Sequence, residues 1–273
     1  MRLKKFLAAK IPLRSKKALK FRLYQALGWK YIEEVQLISE ILRRNKILGS
    51  ILDVGSHTGG SASYFLNNGF DIHCFEPGRE TFEELKVRMK GRTNVVLNHV
   101  AISEVSGQVL NFYESPESKG ISSLHKFRAS HTSSYQVKTL SLTDYIEYKN
   151  LQNIVFLKID VEGHEMSVLK SINLLKNRPS IILFEFEDSK TRDLGYGLID
   201  LLRLMEENEY IFMISEWYPL KNYGDFHKWK GWKSGLNESL DPHAWGNVVA
   251  IDSNKLDAEN ILLEIKSLSN IKN

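Results

Sequence analysis

The stretch "SILDVGSHTGG", residues 50–60, joins a short apolar segment to a turn that contains three glycines. A short apolar run that ends in glycine is typical of a buried strand followed by a tight turn. The residues after it, "HTGGSASYFLNN" at 57–68, predict a helix that Gly69 closes. The stretch therefore predicts a strand, a turn and a helix, the repeating unit of sheets with helices on both faces.

The same unit recurs along the rest of the chain. Segments rich in β-branched and aromatic residues, which favour strands, alternate with segments of helical periodicity. Besides "SILDVG", the predicted strands are "DIHCFEP", "NVVLNHV", "NIVFLKID", "PSIILFEFE", "YIFMIS" and "NVVAID". Residues 103–150 are less regular, with "GQVLNFYES" and "SYQVKTLSL" as exposed strands. The pattern predicts an α/β fold with a mostly parallel sheet, in one domain of residues 46–273 after an N-terminal extension of residues 1–45.

Composition narrows the class of protein. With 42% hydrophobic and 26% charged residues among 273, the chain has the balance of an ordinary globular protein. Its apolar runs, such as "SIILF", are far shorter than the roughly 18 residues that a membrane-spanning helix needs. The single cysteine, Cys74, excludes an internal disulfide and a zinc cluster built on cysteines. These features predict a soluble, cytoplasmic protein.

Positive charge is concentrated at the N-terminus. Residues 1–30 carry ten Lys or Arg and no acid, which leaves 27 basic and 33 acidic residues in the remainder. Apolar residues at helical spacing on both sides of Pro12 predict two basic amphipathic helices. Such helices bind an anionic membrane surface or nucleic acid, or they pack on the main domain with solvated lysines. We expect peripheral membrane contact here and regard nucleic acid as the weaker alternative.

The first strand and its turn also indicate a nucleoside site, because ligands of doubly wound sheets lie at the carboxyl ends of the strands. Glu76 ends the second strand 21 residues after Gly55, a spacing suited to ribose hydroxyls. A dinucleotide fingerprint needs glycine where this chain has His57. Asp53 would repel a pyrophosphate but suits an ammonium group. S-adenosylmethionine fits these charges better than NAD or ATP. The alternative is that Gly55 serves only as a turn residue and marks no ligand site.

Six segments in register resemble the FkbM-type methyltransferases: "ILDVGSHTGG", "FEPGRETFEEL", "NVVLNHVAISEVSG", "GISSL", "VKTLSLTDYI" and "LKIDVEGHEMSVLKS". The resemblance implies a Rossmann-like class I methyltransferase fold, whose seven-stranded sheet has an antiparallel last strand. It also implies methyl transfer from S-adenosylmethionine, typically to a hydroxyl. Members usually have "DVGAN" where this chain has Ser56 and His57. The expected cofactor-binding residues are Asp53, Gly55, Ser56, His57, Thr58, Glu76, Ala101 and Asp160.

The stretch "LKIDVEGHEM", residues 157–166, places acids and a histidine directly after a predicted strand. By its position, Asp160 is expected beside the methionine end of the cofactor. His164 is a candidate general base, because a helix N-terminus disfavours its cationic form. Asp160 and Glu162 either orient the cofactor ammonium and the acceptor hydroxyl or act as the base themselves. The alternative is structural: Asp160 caps the helix, and Glu162 and Glu165 favour its positive end.

The next strand ends in two more carboxylates, Glu185 and Glu187, which share one face by strand alternation. Carboxylates on neighbouring strand tips can hold Mg²⁺, which would acidify a hydroxyl. Acids in this position more often bind substrate hydroxyls or face solvent. We therefore predict Glu185 and Glu187 as substrate-binding residues and do not predict a metal.

The segment "EWYPLKNYGDFHKWKGWKSG", residues 216–235, is rich in aromatic residues without a helical or strand period. Aromatic faces stack on sugar rings, so Trp217 and Tyr218 are predicted to bind a saccharide. Base stacking and core packing are the alternatives. Together these features predict an O-methyltransferase that acts on a sugar hydroxyl of a surface glycan or its lipid-linked precursor. An RNA methyltransferase and a non-catalytic cofactor-binding protein of the same fold are the competing hypotheses.

Overall fold

The computed structural model describes residues 30–115, 122–126, 133–220, 227–235, 240–241 and 243–271. The basic amphipathic helices predicted within residues 1–30 therefore lie outside the described residues, apart from Lys30. No helix in the described part of the chain has the length and apolarity to cross a membrane.

Helices and strands alternate through most of the chain. The helices are α1 (Glu34–Arg44), α2 (Arg79–Met89), α3 (Leu142–Lys149), α4 (Glu165–Lys170), α5 (Asp188–Thr191), α6 (Leu198–Glu207) and α7 (Ala258–Ile271). The strands are β1 (Ser50–Val54), β2 (Asp71–Phe75), β3 (Val95–Asn98), β4 (Ala101–Ile102), β5 (Val109–Glu114), β6 (Ser133–Leu140), β7 (Ile154–Ile159), β8 (Ile181–Glu187), β9 (Tyr210–Trp217), β10 (Trp229–Ser234) and β11 (Trp245–Asp252). Short 3₁₀ turns occur at Ala62–Tyr64 and Arg192–Leu194.

The large sheet has eight strands in the order β10-β9-β11-β8-β7-β1-β2-β3. Strands β3, β2, β1, β7 and β8 pair in parallel, and β11 lies antiparallel between β8 and β9. The predicted Rossmann-like class I sheet, with its antiparallel last strand, is confirmed. The predicted number of seven strands is too low, because β10 adds an eighth strand at the edge of β9.

Strand β10 lies in the segment that the sequence predicts to be an aromatic loop. The strand is not predicted because its pairing with β9 shifts register between Trp229 and Gly231. Such an irregularity breaks the two-residue alternation that identifies a strand in sequence. Trp229 and Trp232, three residues apart, meet edge to face with ring centroids 5.7 Å apart. A strand that contains a bulge therefore looks aperiodic.

The helix predicted at 57–68 is wrong, since only Ala62–Tyr64 forms a helical turn there. Gly59 has φ +79 and therefore leaves the helical region. A Cβ at this position would overlap Met89 and come within 2.7 Å of Leu85 on α2. The glycines thus serve close packing of the turn against α2, and the chain reaches β2 without a regular helix.

A second, three-stranded sheet in the order β4-β6-β5 follows β3. It confirms the exposed strands predicted between residues 103 and 150. Beyond β5, Ser123 forms an isolated antiparallel bridge with Tyr113. This bridge carries residues 122–124 towards the carboxyl ends of the large sheet, where they line the cavity described below.

Helix α1 is part of the domain and not of an extension. Leu37, Ile38, Ile41 and Leu42 are buried in the same core cluster as residues of α7 and of the sheet. Full burial of an aliphatic side chain stabilises a fold by roughly 1.5–3 kcal/mol, so α1 contributes several kcal/mol. The boundary predicted after residue 45 therefore does not separate two structural units.

Candidate active site

A cavity of about 1020 Å³ opens at the carboxyl ends of β1, β2, β7 and β8. This is the edge where parallel α/β sheets bind ligands, since the loops after the strands diverge there. The turn after β1, the end of β2, the turn after β7 and the end of β8 supply most of its lining, and residues 122–124 close one side. Gly55, Ser56, His57, Thr58, Glu76, Ala101, Asp160, Glu162, His164, Glu185 and Glu187, all predicted from sequence, line it.

Gly55 lets the turn after β1 pass directly against the end of β7. Its φ is +74, and an added Cβ would overlap the backbone carbonyl oxygen of Asp160 and lie 2.8 Å from the carbonyl carbon. Ser56 fixes the turn, donating from its hydroxyl to the Asp53 carbonyl at 2.6 Å and accepting from the Phe75 N–H at 3.1 Å. The turn is therefore rigid where it borders the cavity.

Glu76 is held in place by backbone donors. Its two carboxylate oxygens accept hydrogen bonds from the N–H groups of His57 and Gly78, each at 2.8 Å. Burial raises the pKa of Glu76 to about 7 despite these bonds. Each oxygen keeps a second lone pair, so this side chain can also accept from ligand hydroxyls in the cavity.

Asp53 does not line the cavity, which corrects the prediction that it binds the cofactor directly. It is buried on β1 opposite Lys158 of β7, whose ammonium lies 3.3 Å from its Oδ1. Burial raises the pKa of Asp53, and the nearby Lys158 opposes that shift. Asp53 therefore pairs with the ammonium of Lys158 and not with that of a cofactor.

Lys158 ties three parts of the site together. Besides Asp53, its ammonium lies 3.3 Å from the Asp160 carboxylate and donates to the Gly55 carbonyl at 3.1 Å. Burial works against its charge, but the two carboxylates outweigh that effect and raise the pKa of Lys158. Asp160 is thus fixed at the cavity wall, with close to half of its side chain exposed.

A second lysine, Lys190 on α5, is surrounded by acids. Its ammonium lies 2.6 Å from Glu162, 2.8 Å from Glu187 and 3.5 Å from Glu185. These carboxylates raise the pKa of Lys190 well above its ordinary value although burial opposes them. Burial in turn raises the pKa of Glu162 to about 7 and that of Glu185 well above its ordinary value.

The turn that carries Glu162 has unusual backbone geometry. Glu162 has φ +55 and Gly163 has φ +95, so two successive residues leave the ordinary regions. The Ser123 hydroxyl donates to the Glu162 carbonyl at 2.7 Å and supports this conformation. Backbone strain of this kind concentrates at functional sites, where the surrounding structure enforces it.

His164 is buried within a chain of hydrogen bonds. Its Nδ1 lies 2.8 Å from Nε2 of His125, and its Nε2 lies 3.0 Å from the Ser103 hydroxyl. Burial, aided by His125, lowers the pKa of His164 to about 3. The ring is therefore neutral, as predicted, but burial and not the helix N-terminus is the main cause. A weak base with both nitrogens occupied does not fit the role of general base.

The sequence profile of the FkbM methyltransferase domain matches residues 53–212, more than half of the 273 residues. The chain belongs to this family. The hexuronic acid methyltransferase AglP of Haloferax volcanii is 26% identical over 156 residues, which make up 57% of this chain and 60% of that protein. The match therefore spans less than two thirds of the relative.

Solved structures with a similar fold include a precorrin-6y C5,15-methyltransferase from Geobacter metallireducens, with a TM-score of 0.41 and 11% identity over 80% of this chain and 87% of that one. TrmK of M. capricolum, in complex with S-adenosyl-homocysteine, has a TM-score of 0.42 and 9% identity over 85% of this chain and 74% of that one. Similarities of this size concern the fold alone.

The departure of this chain from the usual FkbM sequence "DVGAN" has a conformational basis. His57, in the place of the usual Asn, has φ +48. Asn is among the residues that adopt this left-handed conformation most readily, and His also adopts it more often than most. The substitution therefore preserves the turn, whose His57 N–H still donates to Glu76.

The two aromatic residues predicted to bind substrate in this FkbM protein do not line the cavity. Trp217 is only 3% exposed and donates from its indole N–H to buried Glu34 at 3.0 Å, so the prediction for Trp217 is wrong. Tyr218 is 41% exposed and lies beneath the ammonium groups of Lys228 and Lys230. Among the described residues, His227 of this segment and Trp245 of β11 line the cavity. Residues 221–226, which hold further aromatic residues of the segment, lie outside the described ranges.

Proposed function

We propose that this FkbM protein is an S-adenosylmethionine-dependent O-methyltransferase that acts on a sugar hydroxyl. The observation that carries the proposal is the position of the Glu162 carboxylate, which lines the cavity, where burial raises its pKa to about 7. A carboxylate with this pKa accepts a proton from a hydroxyl near neutral pH more effectively than an ordinary one. It replaces His164 as the general base.

The charged residues that line the cavity suit S-adenosylmethionine. Glu76 is placed to accept from ribose hydroxyls, and the partly exposed Asp160 suits the ammonium of the methionine end. Gly55 allows the close approach to Asp160 that keeps this carboxylate at the cavity wall. When bound, the cofactor supplies a methyl group that its sulfonium already activates. A pyrophosphate would face Glu76, Asp160 and Glu162 together, which disfavours a dinucleotide.

The protein's part in the reaction is positioning and proton removal. With S-adenosylmethionine held by Glu76 and Asp160, the acceptor oxygen would take its methyl group, S-adenosylhomocysteine would leave, and Glu162 would accept the hydroxyl proton. Asp160 and Glu162 must therefore hold the two reactants in line, a contribution that is often larger than the proton transfer itself.

A polyhydroxylated acceptor fits the acceptor side of the cavity. Glu185 and Glu187 present carboxylate oxygens, the strongest acceptors for sugar hydroxyls, and Trp245 supplies an aromatic face. The relative AglP acts on a hexuronic acid, which supports a saccharide as the acceptor class. We propose a sugar of a surface glycan or of its lipid-linked precursor.

Labelled methyl transfer tests this function. The protein is incubated with S-adenosylmethionine labelled in the methyl group and with lipid-linked saccharides, and the label is followed into product by mass spectrometry. We expect an O-methylated sugar that forms far more slowly with the Glu162→Gln variant. Binding of S-adenosylhomocysteine without label in any saccharide, lipid or RNA would instead favour a non-catalytic cofactor-binding protein.

Glu76→Ala should weaken S-adenosylhomocysteine binding by about 1 to 3 kcal/mol, the loss expected when a hydrogen bond to a charged group is removed. Isothermal titration calorimetry measures the change. Glu83→Ala is the matched control, because Glu83 pairs with Lys86 on the exposed face of α2 and should leave binding unchanged. Equal affinities for the Glu76 variant and the wild type would remove Glu76 from the cofactor site.

His164→Ala should slow turnover by disturbing the acceptor side, while the pH at half-maximal rate stays the same. His164 does not titrate near neutrality, since its pKa is about 3, and its loss removes only the contacts to His125 and Ser103. Steady-state kinetics against pH measure both quantities. His73→Ala is a control, because His73 is buried against Tyr145 and does not line the cavity. A His164→Ala enzyme whose rate no longer rises with pH near neutrality would show that His164 is the base.

A further inference from the structure

Three carboxylates of the cavity have the arrangement of a metal site. Asp160, Glu162 and Glu185 each offer an oxygen, and these oxygens lie within 4.8 Å of one another. Divalent cations such as Mg²⁺ and Mn²⁺ prefer oxygen ligands of this kind. Carboxylates this close repel one another unless a cation lies between them.

The structure places protein cations against all three carboxylates. The Lys190 ammonium contacts Glu162 at 2.6 Å and Glu185 at 3.5 Å. The Lys158 ammonium contacts Asp160 at 3.3 Å. Both lysine side chains are buried, with no more than 8% exposed. Each acid that could bind a metal is therefore already compensated by a lysine.

Lys190 is the more informative of the two lysines, because it joins the acids of separate elements. Glu162 follows β7, Glu185 and Glu187 end β8, and Lys190 lies one turn later on α5. Ammonium groups are rarely buried unless they are paired, and three carboxylates provide that pairing here. A divalent ion bound by the same oxygens would have to displace this ammonium or bring two like charges together.

We propose that Lys190 is the resident cation of the active site, occupying the position that a divalent metal would take between Glu162 and Glu185. It is a positioning residue: it holds Glu162 in place and lowers the repulsion among the acids. The catalytic consequence, a reaction that needs no divalent metal, rests on the proposed function. The charge arrangement itself does not.

Manganese binding tests the proposal without any acceptor. Mn²⁺ is titrated into the wild-type protein and into Lys190→Ala, and free Mn²⁺ is followed by electron paramagnetic resonance. We expect wild type to show no saturable binding that depends on Glu185. Lys190→Ala should bind Mn²⁺ at least roughly tenfold more tightly, because the freed carboxylates become ligands. The double variant Lys190→Ala/Glu185→Gln should lose that gain.

Two lysine substitutions serve as controls. Lys190→Arg keeps the positive charge and should not bind Mn²⁺, and Lys176→Ala removes an exposed lysine paired with Glu147 and should behave as wild type. S-adenosylhomocysteine binding reports folding, and Lys190→Met, which keeps the apolar stem, replaces the alanine variant if that one does not fold.

A Mn²⁺ site in the wild type that Glu185→Gln removes would overturn the proposal, and so would a folded Lys190→Ala or Lys190→Met that gains no Mn²⁺ affinity. Because none of these measurements needs an acceptor, a failed search for a methylated sugar would contradict the proposed function and leave this result intact.

Discussion

Glu162→Gln is expected to lower kcat by a factor of roughly 10² to 10⁴, the usual contribution of a general base. Glutamine keeps the size of the side chain and can still accept a hydrogen bond from Lys190, but it cannot take up the proton of the acceptor hydroxyl. S-adenosylhomocysteine affinity should change little, because Glu76 and Asp160 carry the proposed cofactor contacts. Single-turnover kinetics with labelled methyl groups separate the two effects.

The pH dependence gives the same prediction a second readout. Below its pKa of about 7 Glu162 is protonated and cannot act as a base, and above it the carboxylate is available. The rate of the wild type should therefore rise with pH through about 7, and the rate of Glu162→Gln should be flat in that range. Glu187→Gln is the matched control: it removes another carboxylate from Lys190 but should keep the ascending limb. A Glu162→Gln enzyme of wild-type speed would show that positioning alone drives transfer.

The sheet can be predicted from sequence because its strands are apolar, short and separated by clear turns. "NIVFLKID" and "PSIILFEFE" became β7 and β8, buried over nearly their whole length, as parallel strands covered on both faces should be. Strand β10 escapes prediction because its register shift removes the alternation. The segment after Gly55 misleads for a different reason: its apolar spacing is helical, but Gly59 has φ +79 and packs closely against α2.

Positions in the site are predictable to the extent that strand ends determine them. Asp160, Glu162 and Glu185 all lie at the predicted edge of the sheet, and all three line the cavity. What sequence alone does not give is the pairing of charges across strands. Lys158 carried a usable signal, a lysine within an otherwise apolar strand, which requires a buried partner such as Asp53. Lys190 carried none, because a lysine after "EFEDS" resembles a solvated helical residue.

Gly55→Ala is expected to abolish S-adenosylhomocysteine binding and to lower the free energy of unfolding by about 4 kcal/mol or more, a size reserved for severe steric conflicts. The added methyl group would overlap the backbone carbonyl oxygen of Asp160, which cannot rotate away as a flexible side chain can. The conformation at φ +74 adds strain for any L residue, roughly 1 to 3 kcal/mol.

Gly60→Ala provides the matched control within the same turn. A Cβ at Gly60 meets nothing within 4 Å. The free energy of unfolding of this variant should therefore lie within about 1 kcal/mol of the wild-type value. Urea denaturation gives both stabilities, and calorimetry with S-adenosylhomocysteine gives both affinities. The two substitutions add the same methyl group five residues apart. If both changed stability and affinity only slightly, the turn after β1 would be able to accommodate a side chain at Gly55. The close approach of β1 to the end of β7, on which the placement of Asp160 and Glu162 depends, would then not be a requirement of the site.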